Sequence, residues 1–193
     1  MKLKTLLLFG APGCGKGTQG KILGTIPGFF HCSCGEVFRS LRMDSDLGKV
    51  FVQYSGQGQL VPDEPTVELW RQFIANTKHS GRYHPATDTL LLDGIPRNVR
   101  QAELLRDTLD VRAIIHLTCP DNARLVERLQ RRALRENRLD DANLDVIRDR
   151  LTTYERETRP VLDFYGPSVL RPVDATKTPI GVLQDVLQIL GGV

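Results

Sequence analysis

Short apolar runs recur along the chain: "TLLLF" (5–9), "FFHC" (29–32), "TLLLD" (89–93), "AIIHLTC" (113–119) and "SVLRPVD" (168–174). Most are continuous rather than alternating, the pattern of strands covered on both faces. Helical patterns lie between them. One covers Gly15 to Ile26, and a second starts at Asp63-Glu64-Pro65 with an acidic first turn and an early proline. A third begins near Asn98, a fourth near Asp121, a long one fills 143–165, and the last opens at Thr178-Pro179. Alternating strands and helices predict an α/β fold, with the five runs forming a parallel sheet flanked by helices.

Two segments interrupt this order. Residues 33–62 hold helical material but no clear strand, and residues 132–142, "RALRENRLDDA", are polar and strongly charged. Both are predicted to project beyond the sheet. No internal repeat or low-complexity linker divides the chain. Its 193 residues suit one domain, 1–193, carrying 33–62 and 132–142 as insertions.

Composition excludes a disordered chain, at 40% hydrophobic and 25% charged. The net charge of +3 is too small to imply nucleic acid and permits an anionic substrate. Cys14, Cys32, Cys34 and Cys119 form no C-x-x-C pair, so neither a zinc ribbon nor a thioredoxin-like site is expected. Cys32 and Cys34 are poorly spaced for a disulfide within one extended segment, and a reducing, cytoplasmic setting is expected. "MKLKTLLLFG" places lysines before an apolar run, but that run ends at Phe9. A secretion signal needs roughly 7–15 apolar residues, so a buried first strand is predicted instead. No stretch approaches the roughly 20 apolar residues of a membrane span. In "KHSGRYHPATD" (78–88), His79 and His84 are expected to be loop residues, since no further ligands accompany them.

Chemistry concentrates first in "GAPGCGKGTQ" (10–19). Gly10, Gly13, Gly15 and Gly17 surround Lys16 directly after a strand and before a helix, the context of a phosphate loop. Glycines let backbone N–H groups turn inward around phosphate oxygens. The helix N-terminus adds a partial positive charge, and Lys16 a mobile full one. Gly13, Cys14, Gly15, Lys16, Gly17 and Thr18 are the candidate triphosphate-binding residues. The usual hydroxyl after the lysine has moved to Thr18. Gly17 offers no side chain to a metal, so a metal would be held mostly by phosphates and waters, which suits Mg²⁺.

This shifted loop resembles that of the adenylate kinases and the wider nucleoside monophosphate kinase family, which implies a P-loop NTPase fold and ATP as the bound triphosphate. "DGIPRNVRQAELL" (93–105) resembles the family's D-G-F-P-R-x-x-x-Q-A segment, with Ile95 for Phe. The resemblance implies that Gly94, Ile95, Pro96 and Arg97 belong to the AMP site, with Arg97 on the monophosphate and Gln101 on the adenine edge. It makes Asp93 an organiser of the waters on Mg²⁺. The residue chemistry agrees: a carboxylate ending a strand beside a phosphate loop can orient a hydrated metal, and an arginine fork suits phosphate. "CSCGEVFRSL" (32–41) resembles S-T-G-D-x-L-R, which adds Arg39 to the monophosphate site and puts Cys34 at the usual Thr position. "GQLVPDE" (58–64) resembles G-x-L-V-P-D-E, implying adenine contacts from Gln59, Leu60 and Val61. Residues 33–62 then form a small monophosphate-binding lobe.

Arg124, Arg128 and Arg132 recur every four residues, and Arg131 and Arg135 repeat that spacing beside them. Like charges so spaced repel on a helix, with only Glu127 and Glu136 near enough to offset them. A solvated basic face is the plain explanation. The resemblance gives another: "R-L-x-x-R" supplies Arg128 and Arg132, and "N-R-L-D-D" supplies Arg138. A match to "R-L-x-x-Y" supplies Arg150, with Arg148 as the alternative. These would surround the transferring phosphoryl group, Arg128 and Arg132 serving ATP and Arg138 and Arg150 also serving AMP. Lys16, Asp93, Arg132, Arg138 and Arg150 are the implied catalytic residues. Asp140 and Asp141 would hold a closed lid through arginine pairs, or cap the next helix. The lid is short and has no cysteine, so no zinc is expected. "VDATKTPIGVL" (173–183) resembles D-G-T-K-P-V, which implies that backbone at Lys177 contacts the ATP adenine.

Together the motifs imply reversible phosphoryl transfer, ATP + AMP to two ADP, by a monomer using Mg²⁺, with neither nucleic acid nor membrane as partner. A UMP/CMP kinase of the same family and a weakly catalytic nucleotide sensor are the alternatives. A GTPase switch would need Ser or Thr after Lys16 and an N-K-x-D motif, and the sequence has neither.

Overall fold

A computed structural model describes residues 2–42, 44–136, 138 and 141–191. Five strands, β1 (Leu3–Phe9), β2 (Phe29–Ser33), β3 (Thr89–Asp93), β4 (Leu109–Thr118) and β5 (Leu170–Asp174), form one sheet in the order β2-β3-β1-β4-β5. Every pairing is parallel. Side chains alternate between two apolar faces. Leu7, Phe9, Leu90 and Leu92 enter one core with Trp70 and Val161; Leu6, Leu8 and Leu91 enter the other with Leu23, Leu129 and Val186. Apolar residues on both faces are why these strands read as continuous runs.

Nine α-helices are assigned among the described residues: α1 (Lys16–Leu23), α2 (Cys34–Arg39), α3 (Asp46–Gly56), α4 (Asp63–His79), α5 (Val99–Leu105), α6 (Asn122–Glu136), α7 (Leu144–Thr153), α8 (Val161–Tyr165) and α9 (Pro179–Leu190). Their starts follow local chemistry. Asn98 caps α5 by accepting from Gln101 N at 2.8 Å, and Thr178 caps α9 by accepting from Gly181 N at 3.2 Å. No helix among the described residues is long and apolar enough to cross a membrane.

Five expectations change. His79, expected in a loop, is the last residue of α4. Strand β4 begins at Leu109 rather than 113 and excludes Cys119. Thr5 pairs with Val111 and Leu6 with Ala113, leaving Arg112 as an extra bulged residue, and this break in the period of two hid the strand's first half. The helix expected over 143–165 is three pieces: α7, a π turn at Tyr154–Thr158, and α8 following Pro160. Ser168 and Val169 lie in a 3₁₀ turn before β5. Arg132–Glu136, the start of the charged segment, is the end of α6.

Residues 33–62 contribute α2 and α3 after the last residue of β2. The 78–88 link inserts Tyr83, 1% exposed, beneath the sheet, where its ring stacks on Phe30 at 4.9 Å.

Candidate active site

The C-terminal ends of β1 and β3 open onto a cavity of about 630 Å³, where ligands bind in parallel α/β sheets. Two glycines fix the loop after β1. Gly10 has φ +138°, and a Cβ there would sit 2.4 Å from the Leu117 carbonyl oxygen. Gly13 has φ +84°, and a Cβ would sit 2.9 Å from the Leu125 carbonyl oxygen on α6. The loop is therefore clamped between β4 and α6 with room for backbone only. Lys16 Nζ donates to the carbonyls of Gly10 at 2.6 Å and Ala11 at 3.0 Å, on the cavity wall. A Cβ on Gly17 would point toward Asp93, 3.8 Å from Oδ2.

Across the cavity, the β3–α5 turn is tied to the start of α4. Arg97 Nε donates to Gly94 O at 2.8 Å, and Arg97 N donates to Gln101 Oε1 at 2.7 Å. Gln101 Nε2 and Asn98 Nδ2 both donate to Asp63 Oδ1 at 2.8 Å. These bonds orient the Gln101 amide, which lines the cavity although Gln101 is 1% exposed. Cys34 is buried nearby, and burial pushes its thiol up to about 11, with Arg97 and Arg39 pulling the other way. The thiol is thus neutral at neutral pH. Behind Asp93, His31 Nε2 lies 4.0 Å from Oδ2, and burial holds this imidazole below its ordinary pKa.

Arginines form the remaining wall. Arg128 donates to the Ala175 carbonyl at 3.0 Å, joining α6 to the loop after β5. Asp141 is fully buried and binds two guanidinium groups: Arg132 at 2.6 Å, and Arg150 through its other oxygen. Arg138 pairs with Glu136 at 2.6 Å. Gln19 Nε2 donates to Pro179 O at 3.0 Å, holding α1 against the start of α9.

Gly13–Thr18, Cys34, Arg39, Gln59, Leu60, Val61, Asp93, Gly94, Pro96, Arg97, Gln101, Arg128, Arg132, Arg138, Arg150 and Lys177 all line this one cavity. Ile95 does not: it is 2% exposed and packs into the core, because its turn directs the side chain under the sheet. The Lys177 amine turns away to Asp185 at 2.6 Å, leaving only its remaining atoms on the wall. Arg148 is not at the cavity; it pairs with Asp145 at 3.2 Å on the exposed side of α7, whereas Arg150 faces inward. The N-cap of α7 is Asn143 rather than Asp141, and Asp140 lies outside the described residues.

Sequence reasoning missed Asp63, Tyr154 and Thr158. "PDE" marked Asp63 only as a helix start, yet its carboxylate positions Gln101. Tyr154 and Thr158 line the cavity at the two ends of the π turn, with Tyr154 OH 3.2 Å from His116 Nε2. No sequence signal announced that wider turn.

A sequence model of the family described as Adenylate kinase matches residues 8–169, which hold the loop, the β3–α5 turn and every cavity arginine. The chain belongs to the adenylate kinase family. Curated relatives named adenylate kinase agree. The protein of Porphyromonas gingivalis is 36% identical over 180 residues, 90% of this chain and 88% of the relative. That of Parabacteroides distasonis is 37% identical over 166 residues, 83% of each chain. That of Bacteroides fragilis is 32% identical over 188 residues, 94% of this chain and 95% of the relative. The family match thus runs from the end of β1 to the turn before β5 and includes the 33–62 segment.

Proposed function

We propose that this cavity carries out the adenylate kinase reaction, ATP + AMP ⇌ 2 ADP, with the residues placed around it in the roles that follow. Family membership makes the chain a nucleoside monophosphate kinase, a phosphotransferase. What supports the site assignment is the convergence of a phosphate loop and the Arg97–Gln101 turn on opposite walls of one cavity, with Arg132, Arg138 and Arg150 also on its walls. ATP lies along the loop, with its base between Arg128, Ala175 and Lys177. AMP lies against residues 33–62, its phosphate on Arg39 and Arg97 and its base near Gln59, Leu60, Val61 and Gln101.

A phosphate oxygen of AMP attacks the γ-phosphorus in line. The bond to the β–γ bridging oxygen breaks, and two ADP result. No protein nucleophile takes part. Lys16 leaves the Gly10 and Ala11 carbonyls for the donor's phosphates, a charge-for-dipole exchange that favours the bound state. Arg132 and Arg150, held by Asp141, and Arg138 stabilise charge on the equatorial oxygens. Alignment and exclusion of water complete the catalysis, since water would otherwise accept the phosphoryl group.

Among the described residues, no three His, Cys, Asp or Glu side chains converge as a metal cage. One carboxylate, Asp93, faces the space at Gly17, a donor set that suits a hydrated Mg²⁺ carried in by ATP. Bound with the nucleotide, such an ion would neutralise charge on the transferring phosphates. On this reading the enzyme works as a cytosolic monomer on free nucleotides, with neither nucleic acid nor membrane as partner. Its four free thiols fit that reducing compartment.

The test is ADP formation from Mg·ATP with AMP, CMP, UMP, GMP and dAMP in parallel. AMP should be the preferred acceptor. Preference for a pyrimidine would move the assignment to a UMP/CMP kinase. Binding without turnover would make the protein a sensor.

A further inference from the structure

Four arginines of α6 line the cavity: Arg128, Arg131, Arg132 and Arg135. At about 100° per residue they fall within an arc of about 100°, so one helix face carries all four charges. Three have partners. Arg128 donates to Ala175 O, Arg131 pairs with Glu127 at 2.5 Å, and Arg132 pairs with Asp141 at 2.6 Å. Arg135 is exposed at the cavity wall and has neither a hydrogen bond nor an ion pair among the described residues. It stands three residues from Arg132 and four from Arg131, both positively charged neighbours on the same face. An uncompensated cation there is unfavourable until an anion arrives.

The anion's identity follows from what α6 touches. Its Leu125 carbonyl and Leu129 side chain abut Gly13 of the phosphate loop, and Arg128 reaches the loop after β5. The helix therefore runs along the donor side, while Arg39 and Arg97 belong to α2 and the β3–α5 turn. Arg135 lies two turns beyond Arg128, about 10 Å further along the axis. We propose that Arg135 is a further binding residue for the donor, contacting the terminal phosphates of the nucleoside triphosphate beside Arg132. This rests on the placement of ATP along the phosphate loop. The charge is exposed, so its contribution weakens with salt.

Dissociation constants for Mg·ATP and for AMP, each titrated alone by calorimetry, test the assignment. The proteins are wild type, Arg135→Gln, Arg135→Lys, Lys16→Ala and Arg82→Gln, the last removing an exposed arginine of the 78–88 link. Arg135→Gln should weaken Mg·ATP about three- to tenfold at low salt and leave AMP unchanged. Arg135→Lys should recover much of the loss, and the wild-type advantage should shrink toward one at about 0.5 M salt. Arg82→Gln should bind like wild type. Unchanged ATP binding in Arg135→Gln, with binding still weakened in Lys16→Ala, overturns the proposal and leaves the ATP placement standing. A loss confined to AMP overturns it in favour of the acceptor. Should Lys16→Ala also bind ATP normally, the donor placement itself fails and the proposal with it.

Discussion

At the scale of single residues, the site separates cations that wait for substrate from cations already held. Lys16 rests on two carbonyl oxygens, which a phosphate can replace at a gain. Lys16→Ala should lower kcat about 100-fold or more in steady-state ADP formation, with the thermal melt little changed. Arg97→Ala should act differently, raising the AMP KM while the ATP dissociation constant stays put; a change in ATP affinity instead would reverse the two nucleotide sites. Asp141 is the opposite case. It is fully buried and joins Arg132 to Arg150, whose side chains are 27% and 19% exposed. Asp141→Asn removes the carboxylate that bridges these two guanidinium groups. The expected loss is about 2–3 kcal/mol in urea unfolding, below the figure for a fully buried pair because solvent screens both arginines. Turnover should fall as well, and an unchanged unfolding midpoint would refute the bridging role. Arg97 and Gln101 were legible at the cavity because their motif carries a fixed spacing, whereas Arg150 and Arg148 stayed alternatives and only Arg150 lines the cavity. Asp63 was not legible, because its partner lies 38 residues away and only the fold brings them together.

At the scale of elements, legibility tracked periodicity. The inner strands β1 and β3 were visible as continuous apolar runs because both sheet faces are covered there, while the edge strands β2 and β5 are only partly buried. The first half of β4 was hidden by one bulged residue, Arg112, and the helix break at 154–160 by a π turn that keeps the helical composition while changing the phase. The 78–88 link carried no functional signal, and its structural part was illegible for a different reason: one aromatic in a polar loop does not reveal what it plugs. Tyr83 fills a core position, yet its hydroxyl has no hydrogen-bond partner among the described residues, and burial pushes its pKa up to about 12. Tyr83→Phe should therefore cost nothing or stabilise slightly, since it removes a desolvated group without opening a cavity. Tyr83→Ala should cost about 3–5 kcal/mol, as a large buried ring is lost. Chemical unfolding of both variants decides it: equal losses would mean that the hydroxyl, rather than the ring, anchors the link.

At the scale of the whole molecule, the question is how one cavity admits two nucleotides and then excludes water. The walls come from different elements. The phosphate loop and Asp93 issue from the sheet, which packs on both faces and cannot yield much. The 33–62 segment and the end of α6 have mostly exposed or half-buried residues. The base of the first segment is already seated: a Cβ on Gly58 would lie 2.9 Å from the Val146 carbonyl of α7, the helix that carries Arg150. Its far end, α3, packs through Phe51, which stacks on Phe38 at 5.1 Å, and through Leu47. Closure should therefore bring α3 and the tip of α6 together over bound substrates on the microsecond-to-millisecond scale. Dyes on cysteines introduced by Gln53→Cys and Leu134→Cys, with Cys119→Ser removing the half-buried native thiol, would follow that distance in single molecules. A bisubstrate analogue joining ATP and AMP should shorten it, whereas either nucleotide alone should shift the distribution only in part. A distance indifferent to the analogue would mean that the cavity is preformed, and that water is excluded by side chains such as Arg135 and Arg138 folding inward rather than by moving helices.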